Sequence, residues 1–288
     1  VSFLARLAAD AGLIEAHLLA VLAGKADEPV TRAMAHAVRG GKRLRGFLVL
    51  EGARMLGVAQ ARAIPAAAAV EALHAYSLVH DDLPCMDDDD LRRGQPTLHR
   101  VWDEAMAVLA GDALQTLAFE LLTDPVLGSA EVRLALVGGL ARASGIDGMV
   151  LGQALDIAAQ TGGALTLAQI TALQAGKTGA LIGFAAAAGA LIAEADPGPL
   201  RRYAAALGLA FQIADDILDV TGDAGKAGKR LRKDARAGKA TFVSLMGLEA
   251  ARAEAAALVV RAAAALEEYG AAADNLKAAA RFVIARDR

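Results

Sequence analysis

The chain has 288 residues, 56% of them hydrophobic and only 4% aromatic, with a formal net charge of −3. That length and apolar content exclude a disordered or fibrous chain, and the lack of a basic excess argues against nucleic acid or an anionic membrane as a partner. A single cysteine, Cys85, rules out a disulfide framework within the chain and fits a reducing, cytoplasmic setting.

Most of the apolar excess is alanine, the strongest helix former, and only 7 prolines interrupt it. Residues 2–23 read as an amphipathic opening helix, with Phe3, Leu4, Leu7, Ala11, Ile14, Leu18 and Leu22 near one face. No signal-peptide pattern accompanies it. A turn follows at Lys25 to Pro29. A second helix then begins, and Gly40-Gly41-Lys42-Arg43-Leu44-Arg45 interrupts it. Helix resumes over 44–56, and Pro65 suits the first turn of a long helix reaching Asp82. Residues 83–97 read as irregular and strongly charged.

Helical periodicity returns at 99–122, 130–143, 147–160, 167–193, 197–221, 241–269 and 271–286. The breaks fall at Asp124-Pro125, Thr161-Gly162-Gly163 and Asp196-Pro197-Gly198-Pro199. Residues 222–239, rich in Gly, Lys, Arg and Asp, read as a loop. The uncharged run Thr178 to Ala193 is shorter than the roughly 20 residues a membrane span needs. It reads as a buried core helix, so no stable membrane insertion is expected. With no solenoid repeat and no long linker, the expectation is one all-α domain over 1–288, a bundle of about ten helices around a central cavity.

Two acidic motifs stand out. The first, Asp81-Asp82-Leu83-Pro84-Cys85-Met86-Asp87-Asp88-Asp89-Asp90, ends an otherwise apolar helix and is followed by Arg92 and Arg93. The second, Asp215-Asp216-Ile217-Leu218-Asp219, lies inside a helix. At about 100° per residue, Asp219 falls roughly 40° from Asp215, with Phe211 roughly 40° to the other side and Gln212 about 60° away. Like charges one turn apart repel, and an inward-facing carboxylate must be paired or bind a cation. Magnesium answers both needs, because it bridges carboxylates to phosphate oxygens and keeps waters. Arg92 and Arg93 suit phosphate recognition, and Lys177, Lys229 and Lys239 can add point charges. An acidic run such as Asp87–Asp90 is by itself often a solvated loop, and the pattern of a calcium-binding EF-hand loop is absent.

With Gly40 to Arg45, Glu71 to Asp82, Gly111-Asp112, Gly148-Met149, Gly152-Gln153 with Asp156, Gly176 to Gly179, Phe211 to Asp219 and Gly238 to Thr241 in this order, the chain resembles the trans-prenyltransferases, the farnesyl and geranylgeranyl diphosphate synthases among them. The resemblance implies an isoprenoid-synthase fold, a homodimer and about three magnesium ions with substrate bound. It implies metal ligation by Asp81, Asp82 and Asp87 from one wall and by Asp215, Asp216 and Asp219 from the other. Arg92, Lys177, Lys229 and Lys239 would contact the allylic diphosphate. Lys42, Arg45, His74 and Arg93 would hold isopentenyl diphosphate, with Phe211 flanking that substrate. Thr178 and Gln212 would face the developing allylic cation. His80, His99 and Gln153 are left as structural or supporting residues.

Tyr76 and Ser77, five and four residues before Asp81, would floor the pocket in which the product grows. An aromatic residue there, with Pro84-Cys85 lengthening the first motif, resembles bacterial-type farnesyl synthases and implies a C15 product. Ideal helical geometry nevertheless puts Tyr76 about 140° from Asp81. The rivals are a C20 synthase, a class I terpene cyclase, which has no use for a second diphosphate site, a non-catalytic synthase subunit, which would be expected to lack one acidic motif, and a simple acidic metal-binding bundle, which explains neither the arginines nor the lysines.

Overall fold

Alanine-rich stretches with few breakers fold almost entirely as helix in the computed structural model, which describes residues 2–161, 165–221 and 240–285. In chain order the helices are α1 (Phe3–Ala23), α2 (Pro29–Ala37), α3 (Leu44–Met55), α4 (Gln60–Asp81), α5 (Leu98–Val101), α6 (Glu104–Leu121), α7 (Ala130–Ser144), α8 (Met149–Thr161), α9 (Leu167–Gln174), α10 (Ala180–Ala193), α11 (Gly198–Thr221), α12 (Phe242–Met246), α13 (Leu248–Ala264) and α14 (Asp274–Ala285). Between α4 and α5 sits a small antiparallel hairpin, β1 (Leu91–Arg92) against β2 (Gln95–Pro96). Its two turn residues, Arg93 and Gly94, take φ of 53° and 76°, the left-handed pair that a tight hairpin turn needs.

The elements outnumber the sequence-based expectation because three long periodic stretches are subdivided. The 99–122 stretch breaks at Trp102 and Asp103, where the Asp103 carboxylate accepts the Met106 N–H at 2.7 Å and starts α6 afresh. The 241–269 stretch breaks at Gly247, whose φ of 83° no helix can contain. The 167–193 stretch runs α9, then a π turn over Ala175–Gly179, then α10. Pro65 lies well inside α4 rather than in its first turn. It therefore forgoes a backbone bond to the carbonyl four residues back, which the packing of α4 on α3 and α6 outweighs.

The core is one contiguous cluster among the described residues. α4 packs on α3 and α6, α10 on α3, α7 and α11, and α11 on α13. Many of the buried positions are alanine, including Ala66–Ala69 and Ala72 on α4 and Ala185–Ala188 on α10. Small side chains let helix backbones approach closely, and the run 178–193 accordingly packs within the core. At the α3–α10 crossing a Cβ on Gly189 would lie 2.3 Å from the Ala53 backbone nitrogen. Gly189→Val should therefore part these two helices and cost about 3 kcal/mol or more, read as a drop of several degrees in the thermal midpoint; a midpoint within a degree of the parent would contradict the close approach.

Candidate active site

The first acidic motif forms where α4 runs out. The chain winds back over the helix end, with the Asp87 N–H donating to the Asp81 carbonyl at 2.8 Å and the Asp89 N–H to the Asp82 carbonyl at 3.3 Å. Asp82 is buried, and Arg92 grips it through both Nε and a terminal nitrogen, Nε lying 2.9 Å from Oδ1 and 3.2 Å from Oδ2. That grip ties the β1–β2 hairpin to the end of α4. Asp81 Oδ1 accepts from Gln153 Nε2 of α8 at 2.9 Å. Burial and the neighbouring Asp87 push the Asp81 carboxyl up to about 6, against the pull of Lys177 and Arg92.

The second motif lies on α11, where Phe211, Gln212, Asp215 and Asp219 are half-buried. Asp216 is buried on another face, and its Oδ2 accepts the Phe242 N–H at the start of α12 at 2.7 Å. The π turn lies between the two motifs. A π turn inserts an extra residue into helical winding and re-aims the side chains around it. Here Thr178 Oγ1 donates to Gln212 Oε1 of α11 at 3.0 Å, and Lys177 Nζ lies 2.6 Å from Asp156 Oδ2 of α8. A Cβ on Gly152 of α8 would come 2.0 Å from the Lys177 backbone nitrogen, so the two backbones touch. The two acidic walls are thus joined step by step: Asp81 to α8, α8 to the π turn, the π turn to α11.

A second, cationic cluster surrounds the Gly40–Arg45 turn. Arg43 is buried at φ 51°, bonded to the Val38 carbonyl, 3.4 Å from Glu15 and 3.6 Å from the buried Glu71. Glu71 also accepts the Gly46 N–H at 2.9 Å. Arg93 Nη1 donates to the Arg39 and Gly40 carbonyls at 3.3 and 3.1 Å, and Lys42 Nζ stands 5.2 Å over the Phe282 ring of α14. The Nε atoms of Arg43 and Arg45 are buried with no hydrogen-bond partner among the described residues; an anion at Arg45 would satisfy such a donor. His74 is held well below the ordinary histidine range, first by burial and then by Arg45, Arg93, Arg43 and Arg92, which disfavour a further positive charge.

Tyr76 is half-buried, its ring edge-on to His80 at 5.1 Å. His80 in turn lies 3.1 Å from the Val108 carbonyl and presses on α6 where a Cβ on Gly111 would sit 2.1 Å from its Nε2. Ser77 Oγ bonds the His74 carbonyl. Burial, then Asp81 and Asp112, raise the Tyr76 phenol and keep it neutral.

Most of the residues singled out from sequence gather around these two clusters, while Lys229 and Lys239 lie outside the described residues. Sequence reasoning assigned no role to Glu71 or Asp156. Glu71 carried a usable signal, a lone acid in the apolar stretch Ala63–Leu73. Among the described residues no three His, Cys, Asp or Glu side chains come close enough to hold a metal by themselves. With Asp81 and Asp87 near enough to repel, this donor set fits magnesium, which takes a few carboxylates and completes its shell with phosphate and water.

The polyprenyl synthetase profile matches residues 27–280. The chain belongs to the polyprenyl synthetase family. Within it, the chain is 48% identical over 271 residues to the farnesyl diphosphate synthase of Escherichia coli (strain K12), covering 90% of each. Among solved structures of this family it is similar to an FPP/GFPP synthase from Zymomonas mobilis, with TM-score 0.90, 44% identity and 98% of each chain covered. It is also similar to a geranyltransferase from Helicobacter pylori complexed with magnesium and isoprenyl diphosphate, with TM-score 0.82, 34% identity and coverage of 99% and 97%. The all-α architecture is that of these isoprenyl synthases.

A histidine kept neutral when folded but free to protonate when unfolded adds stability above its unfolded pKa of about 6.5 and loses it as the pH falls. Lowering the pH from about 7.5 to about 5 should therefore destabilise the parent chain more than His74→Gln; equal losses in denaturant titrations would show that His74 is not held neutral. His17, also lowered mainly by burial, contributes alike to both.

Proposed function

We propose that this chain is a magnesium-dependent farnesyl diphosphate synthase, joining isopentenyl diphosphate head to tail to dimethylallyl or geranyl diphosphate with release of diphosphate. The observation that carries this reading is the pairing of two linked aspartate walls with a separate cationic cluster, one place for each of two diphosphates. On this reading Asp81 and Asp87 from one wall and Asp215 and Asp219 from the other would hold the magnesium ions, three of them in the substrate complex, with Asp82 and Asp216 assisting. Magnesium, when bound, supplies Lewis-acid stabilisation of the leaving group. Asp82 and Asp216 act from behind, through Arg92 and the Phe242 N–H.

Arg92, Lys177, Lys229 and Lys239 neutralise the departing diphosphate as it takes the electron pair of the allylic C–O bond. Thr178 and Gln212 turn their oxygens towards the allylic cation, and the hydrogen bond between them fixes those dipoles before the reaction. Lys42, Arg45, His74 and Arg93 hold isopentenyl diphosphate beside Phe211, so that its double bond attacks the cation. The new C–C bond forms, and the proton lost to restore the alkene passes to the released diphosphate. Apolar walls exclude the water that would quench the cation.

The reading also includes a single domain over 1–288, a cytoplasmic location and a homodimer. Exposed apolar side chains on neighbouring elements, such as Val108, Leu109, Leu134 and Leu151, support a subunit contact. Incubation with isopentenyl diphosphate, dimethylallyl diphosphate and magnesium should yield a C15 diphosphate. A C20 product would replace this reading with a geranylgeranyl synthase, and no product would end it. Asp81→Ala and Asp215→Ala should each lower turnover about 10²-fold or more with the fold retained, checked by radiolabel transfer and circular dichroism. Tyr76, braced through His80 on α6, is the proposed floor of the chain pocket, with Ser77 beside it. Tyr76→Ala should lengthen the product, and an unchanged chromatographic profile would remove Tyr76 from that role.

A further inference from the structure

Three residues of α8 reach the two halves of the proposed allylic site at once. Gln153 donates to Asp81 Oδ1 at 2.9 Å. Gly152 meets the Lys177 backbone nitrogen so closely that a Cβ would lie 2.0 Å away. Asp156, one turn beyond Gly152, lies 2.6 Å from Lys177 Nζ, with only 13% of its side chain exposed. A lysine ammonium sits on a flexible four-carbon stem, so contact with a substrate phosphate requires that something else confine it. α8 confines Lys177 at both ends, the backbone through Gly152 and the ammonium through Asp156. It does so from the helix that also orients Asp81.

We propose that Asp156 is a positioning residue for allylic substrate: it holds the Lys177 ammonium in place for the allylic diphosphate, while Gln153 sets Asp81 in the same frame. The inference rests on the prenyl-transfer reading above, and it goes beyond that reading in giving a role to a carboxylate to which that reading assigns none. Its specificity follows from geometry. The cluster assigned to isopentenyl diphosphate is built on the Gly40–Arg45 turn, α4 and the hairpin. The contacts α8 makes in the site instead go to the π turn and to the Asp81 end of α4. Loss of Asp156 should weaken one diphosphate and spare the other, which a general loosening of the fold would not do.

The test compares the parent chain with Asp156→Asn and Asp156→Glu. Calorimetry with dimethylallyl thiolodiphosphate, an unreactive allylic analogue, and separately with isopentenyl diphosphate, both with magnesium, gives the two dissociation constants; thermal unfolding runs alongside. Asp156→Asn should weaken the allylic analogue about tenfold, the loss of one charge-assisted contact. It should raise KM for the allylic substrate more than it lowers kcat, and it should change isopentenyl diphosphate binding less than about twofold. Asp156→Glu, which keeps the charge, should recover most of the affinity. Unchanged or tighter binding of the allylic analogue to Asp156→Asn would overturn the proposal. Equal weakening of both diphosphates in step with a lower thermal midpoint would overturn it too. Failure of the parent chain to bind the analogue or to make product would instead refute the prenyl-transfer reading itself.

Discussion

Like charges held close together in a low-dielectric interior set the terms for the rest of this molecule. The two acids that end α4 are disfavoured by burial and by their neighbours, and each is met by a group of the opposite kind or by a donor: Asp82 by Arg92, Asp81 by Gln153 and the field of Lys177. The cationic turn obeys the same rule in reverse, with the buried Glu71 and the half-buried Glu15 set against Arg43. Such pairs add little net stability once desolvation is counted. What they supply is position, because breaking one strands its partner.

Position in turn depends on backbones that nearly touch. The bond from Gln153 and the ion pair of Asp156 span two elements only because Gly152 lets α8 lie against the π turn. The π turn then places Lys177 towards α8 and the next residue, Thr178, towards α11. Consecutive helical residues point about 100° apart around the axis, so each of these two neighbours meets a different helix. The distortion therefore belongs to the site as much as any side chain does, and its cost is borne by packing along α10.

How much of this was legible in the residues themselves depends on the range of the interaction concerned. The all-helical class, the extents of α1, α3, α7 and α11 and the two acidic motifs could all be read from local pattern. The subdivision of longer stretches was missed where a single polar residue, Asp103, acts as a cap in a run that otherwise keeps its period. The π turn left no trace in periodicity, because one inserted residue shifts the phase without breaking it. Gln153 was read as structural or supporting, and its partner, Asp81, could not be named without the fold. Asp216 illustrates the limit from the other side. Its place in an acidic motif implied a metal ligand beside Asp215 and Asp219, whereas its burial and its bond to the Phe242 N–H depend on where α12 begins. Tyr76 meets the ring of His80, which in turn abuts α6, an element whose approach no local pattern contains.

The alanine-lined interior has a consequence for how such a chain can vary. In a core filled by leucine and phenylalanine, the usual damage comes from removing bulk and leaving a void. At Ala66–Ala69 or Ala185–Ala188 there is almost nothing left to remove, and nearly every coding change adds atoms where helix axes already run close. Drift in this interior is therefore bounded from above in volume, and an enlargement at one position is best tolerated with a compensating reduction on the facing helix. Substitutions accumulating along these helices should come in complementary pairs, so that the spacing of the backbones, rather than the identity of any one side chain, is the quantity inherited.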